Sequence, residues 1–153
     1  MVGVLSLLAG CGDGDRSCTA AGCVDGFSIT ALSSEGLPAG GYEVQLTLDE
    51  TLAVCTHPLL IGAPQRIGTC SVPSVRSSII IHDAGAPGTG AENAFTIDIA
   101  GAPSLVVVRV LHDGELIAEG SYEPAYQTIM PNGPECGPTC NTAPPEALRL
   151  DFE

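Results

Sequence analysis

Apolar and polar side chains alternate along several short segments of this chain. The clearest is residues 42–48, YEVQLTL, where the apolar positions are Tyr42, Val44, Leu46 and Leu48. Residues 27–33, FSITALS, alternate in a similar way. A period of two residues is typical of a strand with one buried face, because successive side chains point to opposite faces of a sheet. The pattern therefore predicts β-structure.

Short apolar segments separated by Gly, Pro, Asp and Asn continue along the chain and predict further strands. These lie at residues 52–57, 66–72, 77–82, 94–99, 105–112, 115–122 and 147–152. No window has the three-to-four residue spacing of apolar side chains that a helix of useful length requires. We therefore expect an all-β fold.

Two connections can be predicted in more detail. Asp113-Gly114 favours a type I′ turn between 105–112 and 115–122, with Val110 opposite Ile117 and His112 opposite Glu115. For the strands 42–48 and 52–57 we prefer a three-residue connection, 49–51. This length places Leu52 and Val54 on the same face as Leu48 and Leu46, whereas a two-residue connection would reverse them.

About eight short strands with Gly and Pro turns indicate a single antiparallel β-sandwich. Residues 36–48, GLPAGGYEVQLTL, resemble the turn and strand of transthyretin-like or carboxypeptidase-regulatory-like modules among the Ig-like β-sandwiches. That resemblance implies the fold and no activity. We expect the sandwich to occupy residues 26–153.

The first eleven residues, MVGVLSLLAGC, form an apolar or small-residue segment that ends in a cysteine. Leu8-Ala9-Gly10-Cys11 resembles the lipobox of bacterial lipoproteins, which implies a signal peptide at 1–10 and a lipid on Cys11. A basic n-region is missing, so we expect translation to start further upstream. The alternative is a buried N-terminal strand with an ordinary Cys11. Residues 11–25 suit a flexible tether.

Six cysteines remain once Cys11 is set aside as the lipid carrier, and an even number in an exported protein favours three disulfides. They are Cys18, Cys23, Cys55, Cys70, Cys136 and Cys140. Sequence alone does not determine their connectivity, and nearest-neighbour pairing is the simplest hypothesis: Cys18 with Cys23, Cys55 with Cys70, and Cys136 with Cys140.

Residues 131–140, PNGPECGPTC, raise a further choice between a stapled turn, a zinc site and a redox pair. The cysteines are spaced Cys-x-x-x-Cys, whereas a thioredoxin-type pair is Cys-x-x-Cys, so we favour a structural disulfide. The segment also resembles the C-terminal part of bacterial lipoproteins of uncharacterised activity, which implies no chemistry.

Charge excludes one class of partner. The chain has 18 acidic residues, 5 Lys plus Arg and a formal net charge of −13. No basic stripe can follow a phosphate backbone, so we expect no nucleic-acid partner. Membrane attachment would then depend on the lipid at Cys11, because an anionic surface repels an acidic protein.

The candidate chemistry is sparse. Two histidines precede aspartates, as His82-Asp83 and His112-Asp113, and would form a copper or zinc site if their turns converged. No nucleophile elbow or phosphate-binding glycine loop is present, so we expect no enzyme and no cofactor, with an unrecognised hydrolase as a remaining alternative. We expect a lipid-anchored structural or binding module at the bacterial cell envelope, on the periplasmic face or the cell surface. Its ligand would be a protein or a glycan, contacted through loops that include 84–93.

Overall fold

A computed structural model describes residues 23–33, 37–59, 65–80, 93–133, 135–136 and 138–152. These residues form strands and connections without a helix, and none of them could cross a membrane as a long apolar helix. The strands are β1 (Gly26–Ser33), β2 (Gly40–Leu48), β3 (Thr51–Leu59), β4 (Gln65–Ile67), β5 (Thr69–Cys70), β6 (Val75–Ile80), β7 (Asn93–Ala100), β8 (Val106–His112), β9 (Glu115–Tyr122), β10 (Gln127–Ile129), β11 (Cys140–Thr142) and β12 (Glu146–Arg149).

The strands of the described residues form two sheets, and the predicted all-β sandwich is confirmed. In sheet A the order is β10-β11-β1-β7-β6-β4, and β12 also pairs with β1. In sheet B the order is β5-β3-β2-β8-β9. Both β11 and β12 run parallel to β1, whereas the other pairs are antiparallel.

The core lies between the facing sides of the two sheets. It consists of alternate residues of β1, β6 and β7 in sheet A and of alternate residues of β2, β3 and β8 in sheet B. Its largest fully buried apolar side chains are Tyr42, Phe95, Ile29, Leu46, Ile79, Ile97 and Ile99. The alternation predicted for 27–33 and 42–48 is therefore confirmed. Each such side chain contributes roughly 1.5–3 kcal/mol through removal of its surface from water.

Tyr42 has a polar group in this core that needs a partner. Its ring is 2 % exposed, and its hydroxyl donates a hydrogen bond of 2.7 Å to the carbonyl oxygen of Pro38, four residues earlier. Burial, followed by the nearby Asp113 carboxylate, raises the pKa of Tyr42 above its usual value. The hydroxyl therefore stays protonated and fixes the approach of the chain to β2.

The predicted three-residue connection at 49–51 is wrong. Leu48 pairs with Thr51, so only Asp49 and Glu50 connect β2 to β3. The carboxylate of Asp49 accepts hydrogen bonds from the Ser104 amide, the Ser104 hydroxyl and the Leu105 amide at 2.7–3.0 Å. These bonds stabilise Asp49 at φ 52°, and they hold its pKa below the usual value. Leu52 is consequently 61 % exposed, on the outer face.

The second predicted hairpin is confirmed at its turn and corrected in its register. Asp113 and Gly114 both have positive φ, as a type I′ turn requires, and His112 pairs with Glu115. A bulge then shifts the register, so that Val110 pairs with Ala118 and not with Ile117. The extra residue allows Ile117 to enter the core while Leu116 remains exposed.

Residues 66–72 do not form one strand. The chain passes from sheet A to sheet B at Gly68, between β4 and β5. A side chain at Gly68 would overlap the ring of His57, so the backbone must pass very close to that ring. Strands β10 and β11 were not predicted, because every side chain of β10 is exposed and its sequence shows no apolar alternation.

The strand directions define two ends of the sandwich. The Cys23 end carries the start of β1, the Asp49–Glu50 turn and the start of β8. The Asp113 end carries the start of β2, the Asp113–Gly114 turn and the last described residues, 150–152.

Candidate functional site

Two disulfides are described in full, one between neighbouring cysteines and one between distant parts of the chain. Cys55 pairs with Cys70, as nearest-neighbour pairing predicts. Cys23 pairs with Cys140, 117 positions away, so the predicted bonds Cys18–Cys23 and Cys136–Cys140 are both wrong. Cys136 is also disulfide-bonded. Disulfides are typical of proteins that mature in an oxidising, extracytoplasmic compartment.

Hydrogen bonds reinforce the Cys23–Cys140 connection. The Asn141 amide donates to a carboxylate oxygen of Asp25 at 2.6 Å, and the Gly101 amide donates to the Asp25 carbonyl at 3.1 Å. The Ala143 amide donates to the Gly26 carbonyl. The first described residues are therefore fixed to the C-terminal part of the chain. Sequence reasoning missed Asp25, because its partners are more than 70 positions away.

His112, one of the proposed metal ligands, is packed into the Asp113 end. Its ring stacks on Tyr42 with a centroid distance of 4.6 Å and meets the edge of Phe152 at 5.9 Å. Its Nε2 lies 3.2 Å from the carbonyl oxygen of Ala39 and 3.6 Å from a carboxylate oxygen of Asp113. A carbonyl can only accept, so Nε2 carries the proton in that bond and is not available to a metal.

Asp113 is likewise engaged with its own hairpin. Its other carboxylate oxygen accepts a hydrogen bond of 2.7 Å from the Gly41 amide, which joins the turn to the start of β2. Within the described ranges, no group of three or more His, Cys, Asp or Glu side chains could hold a metal. The proposed partners His82 and Asp83 lie outside those ranges.

A cavity of 480 Å³ opens beside this turn, on the outer face of sheet B. Its lining includes Glu43, Thr56 and Leu111, which form a cross-strand row, together with Asp113. The Glu43 carboxylate accepts a hydrogen bond of 2.6 Å from the Gln45 side chain. Both acids therefore already have partners, and the cavity presents a mixed acidic and apolar surface.

A serine and a histidine meet in the interior. His57 Nε2 lies 2.8 Å from the Ser77 hydroxyl, and each residue is 1 % exposed. Burial lowers the pKa of His57 to about 4, so the ring is neutral at physiological pH. The distance between the two side chains is the one expected for the nucleophile and base of a hydrolase. The Ser77 hydroxyl is so deeply buried, however, that no substrate could reach it in this conformation. It connects β3 of sheet B to β6 of sheet A.

Several predicted site residues lie outside the described part of the chain. They are Cys11, Cys18, His82, Asp83 and the loop 84–92. The tether is described only from Cys23 onward.

No family model, no curated protein and no solved structure matches the chain.

Proposed function

We propose that this chain is a lipid-anchored β-sandwich of the bacterial cell envelope with a structural or binding role. The lipid anchor is proposed because the segment that ends at Cys11 resembles a lipobox. We also propose that the β-sandwich is of the transthyretin-like kind that residues 36–48 resemble. The observation that supports it most is the pairing of Cys23 with Cys140. Such a bond is typical of an oxidising compartment, and it ties the last residues of the predicted tether 11–25 to the folded domain.

The position of this bond gives the anchored domain an orientation. Cys23 lies three positions before the start of β1, and the Cys23–Cys140 bond and the Asp25 hydrogen bonds all lie at the Cys23 end. A lipid at Cys11 would hold this end towards the membrane. The Asp113 end would point away from it. The whole chain has a formal net charge of −13, so an anionic membrane surface would repel it.

The test is replacement of Cys11 by Ser in the exported protein. We expect Cys11→Ser to move the protein from the membrane fraction to the soluble fraction and to abolish incorporation of radiolabelled palmitate. Gly12→Ser is the matched control, because it changes the adjacent residue and keeps the thiol. A Cys11→Ser protein that remains in the membrane fraction would refute the anchor.

A further inference from the structure

A groove lies on the outer face of sheet A, and the function proposed for the protein does not involve it. The groove has a volume of 520 Å³ and lies at the Cys23 end. Ser28, Asp98 and Arg76 form its polar floor, one from each of the adjacent strands β1, β7 and β6. Asp25, Ser74 and Thr142 contribute further polar groups at its rim.

Arg76 and Asp98 lie directly opposite each other in the antiparallel pair β6–β7. Facing Cβ atoms in such a pair are about 4.5–5.5 Å apart, so the two charged groups share one region of the groove. Both residues are exposed. Neither side chain has a hydrogen-bond or ion-pair partner within the part of the chain that the structure describes. The groove therefore presents one guanidinium and one carboxylate that are both available.

A second carboxylate lies at the rim. Asp25 is held by the Asn141 amide, which donates to one of its oxygens at 2.6 Å. The described lining of the groove thus includes one carboxylate that is held, one carboxylate that is free, and one cation. A guanidinium binds carboxylate and phosphate groups through paired N–H donors, whereas carboxylates accept hydrogen bonds from an ammonium group.

We propose that this groove binds a compact zwitterion that carries a primary ammonium group and a carboxylate or phosphate group. The acidic group pairs with Arg76, the ammonium pairs with Asp98, and the hydroxyls of Ser28 and Ser74 accept or donate the remaining hydrogen bonds. Asp25 adds negative charge at the rim, which favours the ammonium group. The proposal names a ligand class for the binding role above but does not depend on the lipid anchor.

The overall charge favours a zwitterion over a singly charged ligand. With a formal net charge of −13, the protein repels a simple anion and attracts a simple cation to many acidic sites on its surface. A zwitterion has no net charge, so its binding depends on two opposite charges at the right separation. Among the described arginines, Arg109 contrasts with Arg76, since it is paired with Glu119 at 2.9 Å on the outer face of sheet B.

The ligand chemistry has two sources, a free amino acid or short peptide and the headgroup of an ethanolamine phospholipid. Binding is measured by NMR titration of the isotope-labelled full chain with Cys11→Ser, exported so that its disulfides form. The probes are glycylglycine and sn-glycero-3-phosphoethanolamine, which are both net-neutral zwitterions. Ethanolamine and inorganic phosphate are the single-charge controls, each of which carries charge of one sign only. We expect saturable shifts at Ser28, Ser74 and Asp98 with a zwitterionic probe and at least about tenfold weaker binding of the single-charge controls.

Matched variants assign the binding to the groove. Arg76→Gln and Asp98→Asn should each weaken the zwitterion about tenfold or more, whereas Arg109→Gln should leave its affinity unchanged. Co-sedimentation with phosphatidylcholine vesicles, with and without phosphatidylethanolamine, separates the sources. Retention only by the ethanolamine lipid assigns the headgroup, and binding of a free probe without vesicle retention assigns a soluble zwitterion.

Two results would overturn the proposal. One is the absence of saturable binding in every arm, which would leave Arg76 and Asp98 as a solvated surface pair only. The other is binding that Arg76→Gln and Asp98→Asn leave unchanged. Because the NMR titration uses the Cys11→Ser chain, its outcome does not depend on whether Cys11 carries a lipid. A failure of this proposal can therefore be distinguished from a failure of the lipid anchor.

Discussion

The buried His57 makes a quantitative prediction for acid stability. The residue is 1 % exposed, and its ring lies against Gly68 and the edge of Phe95. Among the described residues, its one hydrogen-bond partner is the hydroxyl of Ser77. Its Nδ1 has no hydrogen-bond partner among the described residues. Protonation would therefore place a charge in the core with no compensating group.

The magnitude follows from the pKa of the ring in the two states. Burial lowers the pKa of His57 from 6.5 to about 4 in the folded protein, whereas the unfolded chain keeps the ordinary value. Below pH 6.5 the unfolded state binds the proton first, so the free energy of unfolding decreases as the pH falls. The stability that depends on a neutral His57 is fully present above about pH 6.5 and lost by about pH 4. At about 1.36 kcal/mol for each unit of pKa, the total loss is about 3 kcal/mol.

The assay compares urea unfolding of the oxidised wild-type protein with that of His57→Gln. Carboxylates titrate in both proteins, so the informative quantity is the difference in free energy of unfolding between them. This difference should change by about 2 kcal/mol or more in favour of the variant between about pH 7 and about pH 4.5. The control is His112→Gln, which leaves the buried ring of His57 in place. This variant should therefore retain the acid sensitivity that His57 causes in the wild-type protein. A difference that is independent of pH, or an NMR titration midpoint of the His57 ring at 6 or above, would refute the reasoning.

Two further substitutions test specific contacts through the free energy of unfolding. Tyr42→Phe removes the hydrogen bond to Pro38 and should lower the free energy of unfolding by about 1–2 kcal/mol. Tyr126→Phe removes a buried hydroxyl that has no partner in the described residues, so it should be neutral or stabilising. Equal losses of stability in the two variants would contradict this explanation. Gly68→Ala places a Cβ where the His57 ring lies and should cost about 1–3 kcal/mol, and an unchanged thermal midpoint would show that the chain does not pass so close to the ring.

Local patterns predicted those parts of the fold that depend on neighbours in sequence. The alternation in 27–33 and 42–48 identifies β1 and β2 and their buried faces, and Asp113-Gly114 identifies the tight turn between β8 and β9. The turn at Asp49 could not be predicted in this way. Its conformation depends on hydrogen bonds from Ser104 and Leu105, more than 50 positions away.

The candidate sites were harder to predict for the same reason. The pairing of Cys23 with Cys140 depends on β11 lying beside the start of β1, and β11 has no apolar pattern that reveals it. The groove depends on the register of Arg76 with Asp98, which a sequence without strand order does not specify. The nearest-neighbour hypothesis succeeded only for Cys55 and Cys70, whose strands are adjacent in sheet B.

Peptide mapping by mass spectrometry, on the unreduced protein isolated from the cell envelope, tests the account most directly. We expect peptides that join Cys23 to Cys140 and Cys55 to Cys70, with Cys136 also oxidised. Free thiols at these positions, or peptides that join Cys18 to Cys23 or Cys136 to Cys140, would contradict it.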